Sequence, residues 1–349
     1  MTAPLTNTAP TDPIVAMRDV DMAFAAGRVD GRPVVQQVLH KVSFEIGAGE
    51  TLGLVGESGS GKSTAGRIVV GLYEPTGGSV TLFGQPITGP DRRANLANVR
   101  SRLQFVFQDP HAALNPRMRV GSSIAEPIEI AGRHSRKDRD DRVRQLLEMV
   151  GLPRDSADRF PHEFSGGQRQ RIVIARALAL EPGFVVCDEP VSALDVSMQA
   201  QIINLLMDLQ ARFGLSYLFI AHDLAVVRAI SHRVAVLYAG SIVEVAPKPD
   251  LYARPQHPYT RALLDAVPRP DPWRERPPVI AGEVPSLLAP PPGCRFHTRC
   301  PHVMPRCRVD VPRLQSTGPG RLTACHLFDE GGIAAVPDHS SRPASHVER

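Results

Sequence analysis

A strand-forming run, Thr51–Val55, passes directly into Gly56-Glu57-Ser58-Gly59-Ser60-Gly61-Lys62-Ser63-Thr64 and then into a helical pattern from about Lys62 to Leu72. No other feature restricts the possible folds as tightly. Glycines at this spacing let backbone N–H groups close around phosphate oxygens, and the start of the following helix adds its positive pole. Lys62 can reach the β- and γ-phosphates of a nucleotide, and the Ser63 hydroxyl can ligate Mg²⁺. The candidate nucleotide contacts are therefore Gly56, Ser58, Gly59, Ser60, Gly61, Lys62, Ser63 and Thr64. A plain Gly/Ser-rich turn is the bland alternative, and the strand before and helix after argue against it.

A phosphate loop of this kind sits in an α/β sheet, and the rest of the chain supplies one. Strands are expected at Ile14–Val20, Val38–Ile46, Ser79–Leu82, Leu103–Phe107, Phe184–Cys187, Tyr217–Ala221, Val234–Tyr238 and Ser241–Val245. Between Met118 and Leu180 strand patterns vanish, and helical spacing appears at Ile124–Ile130, Asp138–Val150 and Gln168–Leu180. With 42% hydrophobic and 22% charged residues, the 349-residue chain can bury a sizeable core. A net charge of +4, with basic residues spread along the sequence, does not call for nucleic acid as a partner. Residues 1–13 carry neither a basic start nor an apolar core, so they do not read as a signal peptide. No apolar stretch approaches the roughly 20 residues needed to span a bilayer, so any membrane role must run through a partner.

Further downstream, Phe184–Glu189 ends an apolar strand in two carboxylates. Asp188 suits a Mg²⁺ ligand, and Glu189 suits a general base that polarises water beside the γ-phosphate. Cys187, inside that strand, reads as a small core residue. In Phe164-Ser165-Gly166-Gly167-Gln168-Arg169-Gln170-Arg171, a serine and two glycines open a helix and form a second anion-binding terminus.

The order of these motifs resembles that of ABC ATPases, with Phe164 where Leu is commoner in the signature motif. The resemblance implies that two such domains dimerise head to tail. Ser165, Gly166, Gly167 and Gln168 of one chain would then close over the γ-phosphate held by the Lys62 loop of the other. It also implies that Gln108 is the Q-loop glutamine near Mg²⁺ and the attacking water, and that His222 is the switch histidine. Asp195, in Ser192-Ala193-Leu194-Asp195, becomes the D-loop acid, and Phe24 becomes the aromatic that stacks on adenine. The catalytic set would be Glu189, His222, Gln108 and Lys62, with Mg²⁺ held through Ser63, Gln108 and Asp188. In isolation Phe24 reads equally well as core, since the Gly27–Pro33 insertion blurs its register.

His257-Pro258-Tyr259-Thr260-Arg261-Ala262-Leu263-Leu264 resembles the start of the C-terminal extension of dipeptide, oligopeptide and nickel importer ATPases. Taken alone it reads as a Pro-initiated helix on the domain surface, with no catalytic part. Nine prolines between Pro268 and Pro292 read as extended linker with no core of its own. Cys294, Cys300, Cys307 and Cys325 follow, among Arg295, Arg299 and Arg306, with His297, His302 and His326 interleaved. Four thiolates fit zinc or an iron–sulfur cluster, and free thiols remain open. The usual C-x2-C knuckles of zinc are missing, and the resembled subfamily implies a 4Fe–4S cluster.

The expected fold class is α/β, a P-loop NTPase of ABC type with a mixed β-sheet core, an antiparallel β subdomain and a helical subdomain, plus a Pro/Cys-rich extension. Expected boundaries are a disordered 1–13, an ATPase domain over 14–256 with its helical part at about 118–180, the extension over 257–330 and a disordered 331–349. The implied function is ATP hydrolysis that energises peptide import at the cytoplasmic face of the membrane. Implied partners are a second ABC ATPase subunit, identical or paralogous, two transmembrane permease subunits and, indirectly, an extracytoplasmic solute-binding protein. Nickel or another small solute as cargo, and a soluble ABC ATPase outside transport, are the competing readings. A non-hydrolysing scaffold would be expected to lack Lys62, Glu189 or His222, and all three are present.

Overall fold

The structure is a computed structural model that describes residues 12–29, 32–132, 135–267, 282–283 and 285–329. In chain order the elements are β1 (Val15–Val29), β2 (Arg32–Ile46), β3 (Thr51–Val55), α1 (Lys62–Val69), β4 (Gly77–Leu82), β5 (Gln85–Pro86), α2 (Arg92–Val99), β6 (Leu103–Val106) and α3 (Pro110–Ala113). There follow α4 (Val120–Ala131), α5 (Arg136–Met149), α6 (Gly166–Ala177), β7 (Phe184–Asp188), α7 (Val196–Phe213), β8 (Ser216–Ala221), α8 (Leu224–Ile230), β9 (Arg233–Tyr238) and β10 (Ser241–Pro247). The described chain closes with α9 (Lys248–Ala253), α10 (Pro258–Asp265), β11 (Gln315–Gly318) and β12 (Arg321–Thr323).

The strands form two sheets. The larger runs β11-β12-β10-β9-β3-β8-β7-β6, and its stretch from β9 to β6 is parallel. Those parallel strands are apolar on both faces, as a sheet covered on both sides requires. Val185, Cys187, Tyr217, Phe219, Val234 and Val236 point into one core, which the helices α4 to α8 cover. Phe184, Val186, Leu218, Ile220, Ala235 and Leu237 point into the other, against α1 and the second sheet. That second sheet, β2-β1-β4-β5, is antiparallel.

The expected strand positions hold, with longer outlines in the first hairpin. β1 and β2 continue past Val20 and begin before Val38 because each supplies the other's backbone partners as far as Val29 and Arg32. The insertion at Gly27–Pro33 is thus part of a paired ribbon. Helix α1 stops at Val69, short of Leu72, where Gly71 turns the chain at φ +71°. The helical stretch contains α4, α5 and α6, close to the expected spacings.

The C-terminal segment joins the larger sheet: β12 pairs with β10 at Glu244↔Thr323 and Val245↔Leu322, and Phe296 is fully buried. Strands on either side of residue 257 therefore share one sheet. Most of Pro268–Pro292, residues 1–11 and the tail from 330 onward lie outside the described residues. Among the described residues, no helix is long and apolar enough to cross a membrane.

Candidate functional site

The site lies where parallel strands end. β3 feeds the loop Gly56–Gly61, β6 leads to Gln108, β7 ends in Asp188 and Glu189, and β8 leads to His222. Parallel strands deliver their C-terminal ends to one edge, so residues far apart in sequence meet there.

The loop's shape depends on glycine at two points. Gly61 has φ +106°, and a Cβ there would press on Leu39 and the Val38 carbonyl; at Gly56 it would collide with the Leu237 carbonyl. Lys62 is nearly buried, and its Nζ donates to the Gly56 carbonyl at 2.8 Å and the Glu57 carbonyl at 3.0 Å. Burial lowers the Lys62 pKa, against the pull of Glu189, Asp188 and Glu57. The Ser63 hydroxyl donates to Asp188 Oδ1 at 2.8 Å. Burial raises the Asp188 pKa, partly offset by that hydrogen bond. A hydroxyl and a carboxylate this close are hard oxygen donors of the kind Mg²⁺ takes, so the residues present fit that ion.

Glu189 is the hub of the remaining contacts. Its Oε2 accepts from Gln108 Nε2 at 3.1 Å and meets His222 Nδ1 at 3.2 Å. Its backbone sits in the left-handed region, φ +48°, a conformation that costs a non-glycine residue about 1–3 kcal/mol and recurs at functional sites. The Glu189 N–H is anchored on the Ile220 carbonyl at 2.9 Å, which fixes the carboxylate at the strand edge.

Ser165 and its neighbours form a separate feature. Ser165 caps α6, its Oγ accepting from Gln168 N–H while Gln168 Oε1 accepts from Ser165 N–H, a reciprocal capping box. Gly167 lies so close to Met198 that a Cβ would collide with it, and Gly166 faces Leu194, so this helix start is seated against the Asp195 segment. Asp195 caps α7 through Met198 N–H at 2.9 Å and accepts from Ser197 Oγ at 2.6 Å, bonds that lower its pKa. Among the described residues, no hydrogen bond or ion pair joins Ser165–Gln168 to the Lys62 loop of the same chain.

Phe24 is half-buried on β1 and packs edge-on against Tyr73, ring centroids 5.6 Å apart. Cys187 is fully buried, its thiol pushed up to about 12. The four other cysteines share one neighbourhood. Burial first, and then the nearby thiols, push Cys294 up to about 11 and Cys325 up to about 12. Among the described residues no three His, Cys, Asp or Glu side chains converge where one metal ion could sit, so neither zinc nor a 4Fe–4S cluster gains support from the geometry. His297 instead bonds the Cys294 carbonyl, and His326 bonds Asp329.

Two contacts of the phosphate loop come from outside the nucleotide motifs. Tyr259 Oη, fully buried, accepts the Glu57 N–H at 3.0 Å, so helix α10 reaches beneath the loop instead of resting on the surface. Arg299 grips the Glu57 carboxylate with both terminal nitrogens, at 2.9 and 3.1 Å. The basic context of the cysteines hinted at such an anion partner without identifying it.

Comparison with known proteins places these features in company. Residues 39–192 match the family described as ABC transporter, and residues 243–307 match the oligopeptide/dipeptide transporter C-terminal region. A putative peptide import ATP-binding protein of Brucella abortus (strain 2308) is 61% identical over 91% of this chain and 93% of its own length. One from Brucella ovis is 54% identical over 84% of this chain and 93% of its own length. Among solved structures, a dimeric ATP-binding cassette in a post-hydrolysis state with ADP and Pi superposes with TM-score 0.60 at 30% identity, covering 67% of this chain and 98% of that one.

Proposed function

The chain belongs to the ABC transporter family as an ATP-hydrolysing subunit, and from that premise we propose that it energises the import of dipeptides or oligopeptides. The observation that carries the mechanism is the Glu189 carboxylate held between Gln108 and His222, on the same sheet edge as Lys62 and the Ser63–Asp188 pair.

Glu189 accepts a proton from the water that attacks the γ-phosphorus, and the γ-phosphoryl group leaves ADP as inorganic phosphate. Gln108 and His222 fix the carboxylate's orientation, and Lys62 exchanges its two loop carbonyls for phosphate oxygens. Ser63 and Asp188, with Gln108 nearby, would hold Mg²⁺, which when bound would supply positive charge against the negative charge that develops in phosphoryl transfer. The capped helix start at Ser165 is assigned to a nucleotide on a second subunit, as the resemblance to ABC ATPases implies; among the described residues it makes no bond to the loop of its own chain. In this reading Asp195 couples the paired sites, Phe24 stacks on adenine, and the assembly binds two permease subunits at the cytoplasmic face of the membrane. The unit boundaries at 14–256, with the helical part at about 118–180, and at 257–330 belong to the same proposal.

A 4Fe–4S cluster on Cys294, Cys300, Cys307 and Cys325 is proposed from the resemblance to the importer subfamily and from the four-thiol donor set, and the described geometry adds no converging ligand group to it. Anaerobic purification with iron analysis tests it, and an iron-free, colourless protein removes it. For transport, uptake of labelled dipeptide by a strain lacking this gene is expected to return with the wild-type chain and not with Glu189→Gln. Unchanged dipeptide uptake in the deletion strain, with nickel uptake lost, would reassign the cargo.

A further inference from the structure

Glu57 is the second residue of the phosphate loop, and every polar group it has is engaged. Its N–H donates to Tyr259 Oη, its carbonyl accepts Lys62 Nζ, and its carboxylate takes two bonds from Arg299. Tyr259 and Arg299 lie 202 and 242 residues further along the chain. Beneath the loop, Tyr238, Tyr259 and Phe296 pack ring on ring, with centroids 4.5 to 5.5 Å apart. Arg299 emerges through this aromatic layer with its side chain 6% exposed, reaching Tyr238 Oη at 3.4 Å as well.

A carboxylate in a loop built to receive a polyphosphate opposes its own ligand, because like charges a few ångströms apart repel strongly outside bulk water. A bidentate guanidinium both cancels the charge and fixes the direction of the carboxylate oxygens. We infer that Arg299 is a positioning residue for ATP: it neutralises Glu57 and, with Tyr259, holds the loop so that its N–H groups face the phosphates. The C-terminal extension is thereby part of the nucleotide site. This rests on Gly56–Thr64 being the ATP loop.

The test is a double-mutant cycle in the full-length protein, reading MgATP affinity by calorimetry alongside KM and kcat. Arg299→Gln is expected to weaken ATP binding and raise KM by about five- to tenfold while kcat falls by less than about twofold. Adding Glu57→Gln to that variant should restore most of the affinity, because the uncancelled charge is gone; Arg299→Lys, which keeps the charge but not the fork, should fall between. A merely structural Arg299 would give the same weak binding with or without Glu57→Gln, and that result, or wild-type affinity in Arg299→Gln, overturns the inference. If Arg299→Gln does not fold, the same cycle is run with Arg299→Lys, and equal affinities with and without Glu57→Gln overturn it there. Lys62→Ala checks the premise separately: retained ATP binding in that variant would show that the loop itself is misassigned.

Discussion

Lys62 sits between two regions of opposite character. On one side are strand-end loops carrying Glu189, His222 and Gln108, with the His222 side chain 58% exposed and Glu189 in a strained backbone conformation. On the other is the aromatic joint of Tyr238, Tyr259, Phe296 and His257, all buried. The exposed side leaves polar groups free to rearrange around substrate and water. The buried side ties Glu57 to Tyr259 and Arg299 and backs the loop with packed aromatic rings. The contrast teaches that altering the first region should change turnover and spare the fold, while altering the second should change stability and loop placement.

The largest effect expected is on the exposed side. Glu189→Gln should lower kcat by about a thousandfold, within the range for a lost general base, while ATP still binds and a nucleotide-bound dimer accumulates. Turnover assays with size-exclusion chromatography check both, and unchanged turnover would mean that another group is the base. On the buried side, Phe296→Ala should cost about 3–5 kcal/mol, the usual toll of emptying a packed aromatic site, read as a lower denaturant midpoint. A variant with reduced kcat and full stability would break the contrast.

Acid sharpens it further. Burial lowers the His257 pKa to about 3, and its Nδ1 accepts the Tyr259 N–H at the start of α10. The folded pKa lies below the unfolded one, so this stabilisation is complete above about pH 6.5 and is lost as pH falls, by about 1.4 kcal/mol per unit. Glu244, which accepts the Gln256 and His257 N–H groups and pairs with Arg321, has a raised pKa and works in the opposite direction. The His257 contribution is therefore the slope difference between wild type and His257→Asn in denaturant titrations across that window; identical slopes would exclude it. The smallest effect belongs to Phe24. If it stacks on adenine, Phe24→Ala should raise the KM for ATP about two- to threefold, as loss of one stacking contact does, with GTP affected similarly. A loss of stability with no change in KM would make it core, as its contact with Tyr73 suggests.

The two regions also differ in how far the chain announces them. The loop at Gly56–Thr64, the acids ending β7 and the serine cap at Ser165 are each contiguous, and their chemistry needs specific residue types at fixed spacing. The apolar alternation of β7, β8 and β9 is equally plain. The short strands β11 and β12, of four and three residues, carry almost no periodic pattern; β12 joins the sheet by pairing with β10, and β11 pairs in turn with β12. Nothing local sets Tyr259 apart from the other residues of a short Pro-initiated helix, or Arg299 apart from Arg295 and Arg306 beside the cysteines.

The chain dictates the local arrangements, a glycine-rich loop at Gly56–Thr64, two acids ending β7 and a capped helix start at Ser165, because a few adjacent residues suffice for each. Only the tertiary structure decided that Glu189 meets both Gln108 and His222, and that Tyr259 and Arg299 close on Glu57. Contacts across 202 and 242 residues depend on which strand edges are free and which aromatic faces fit together, and no local pattern encodes that choice.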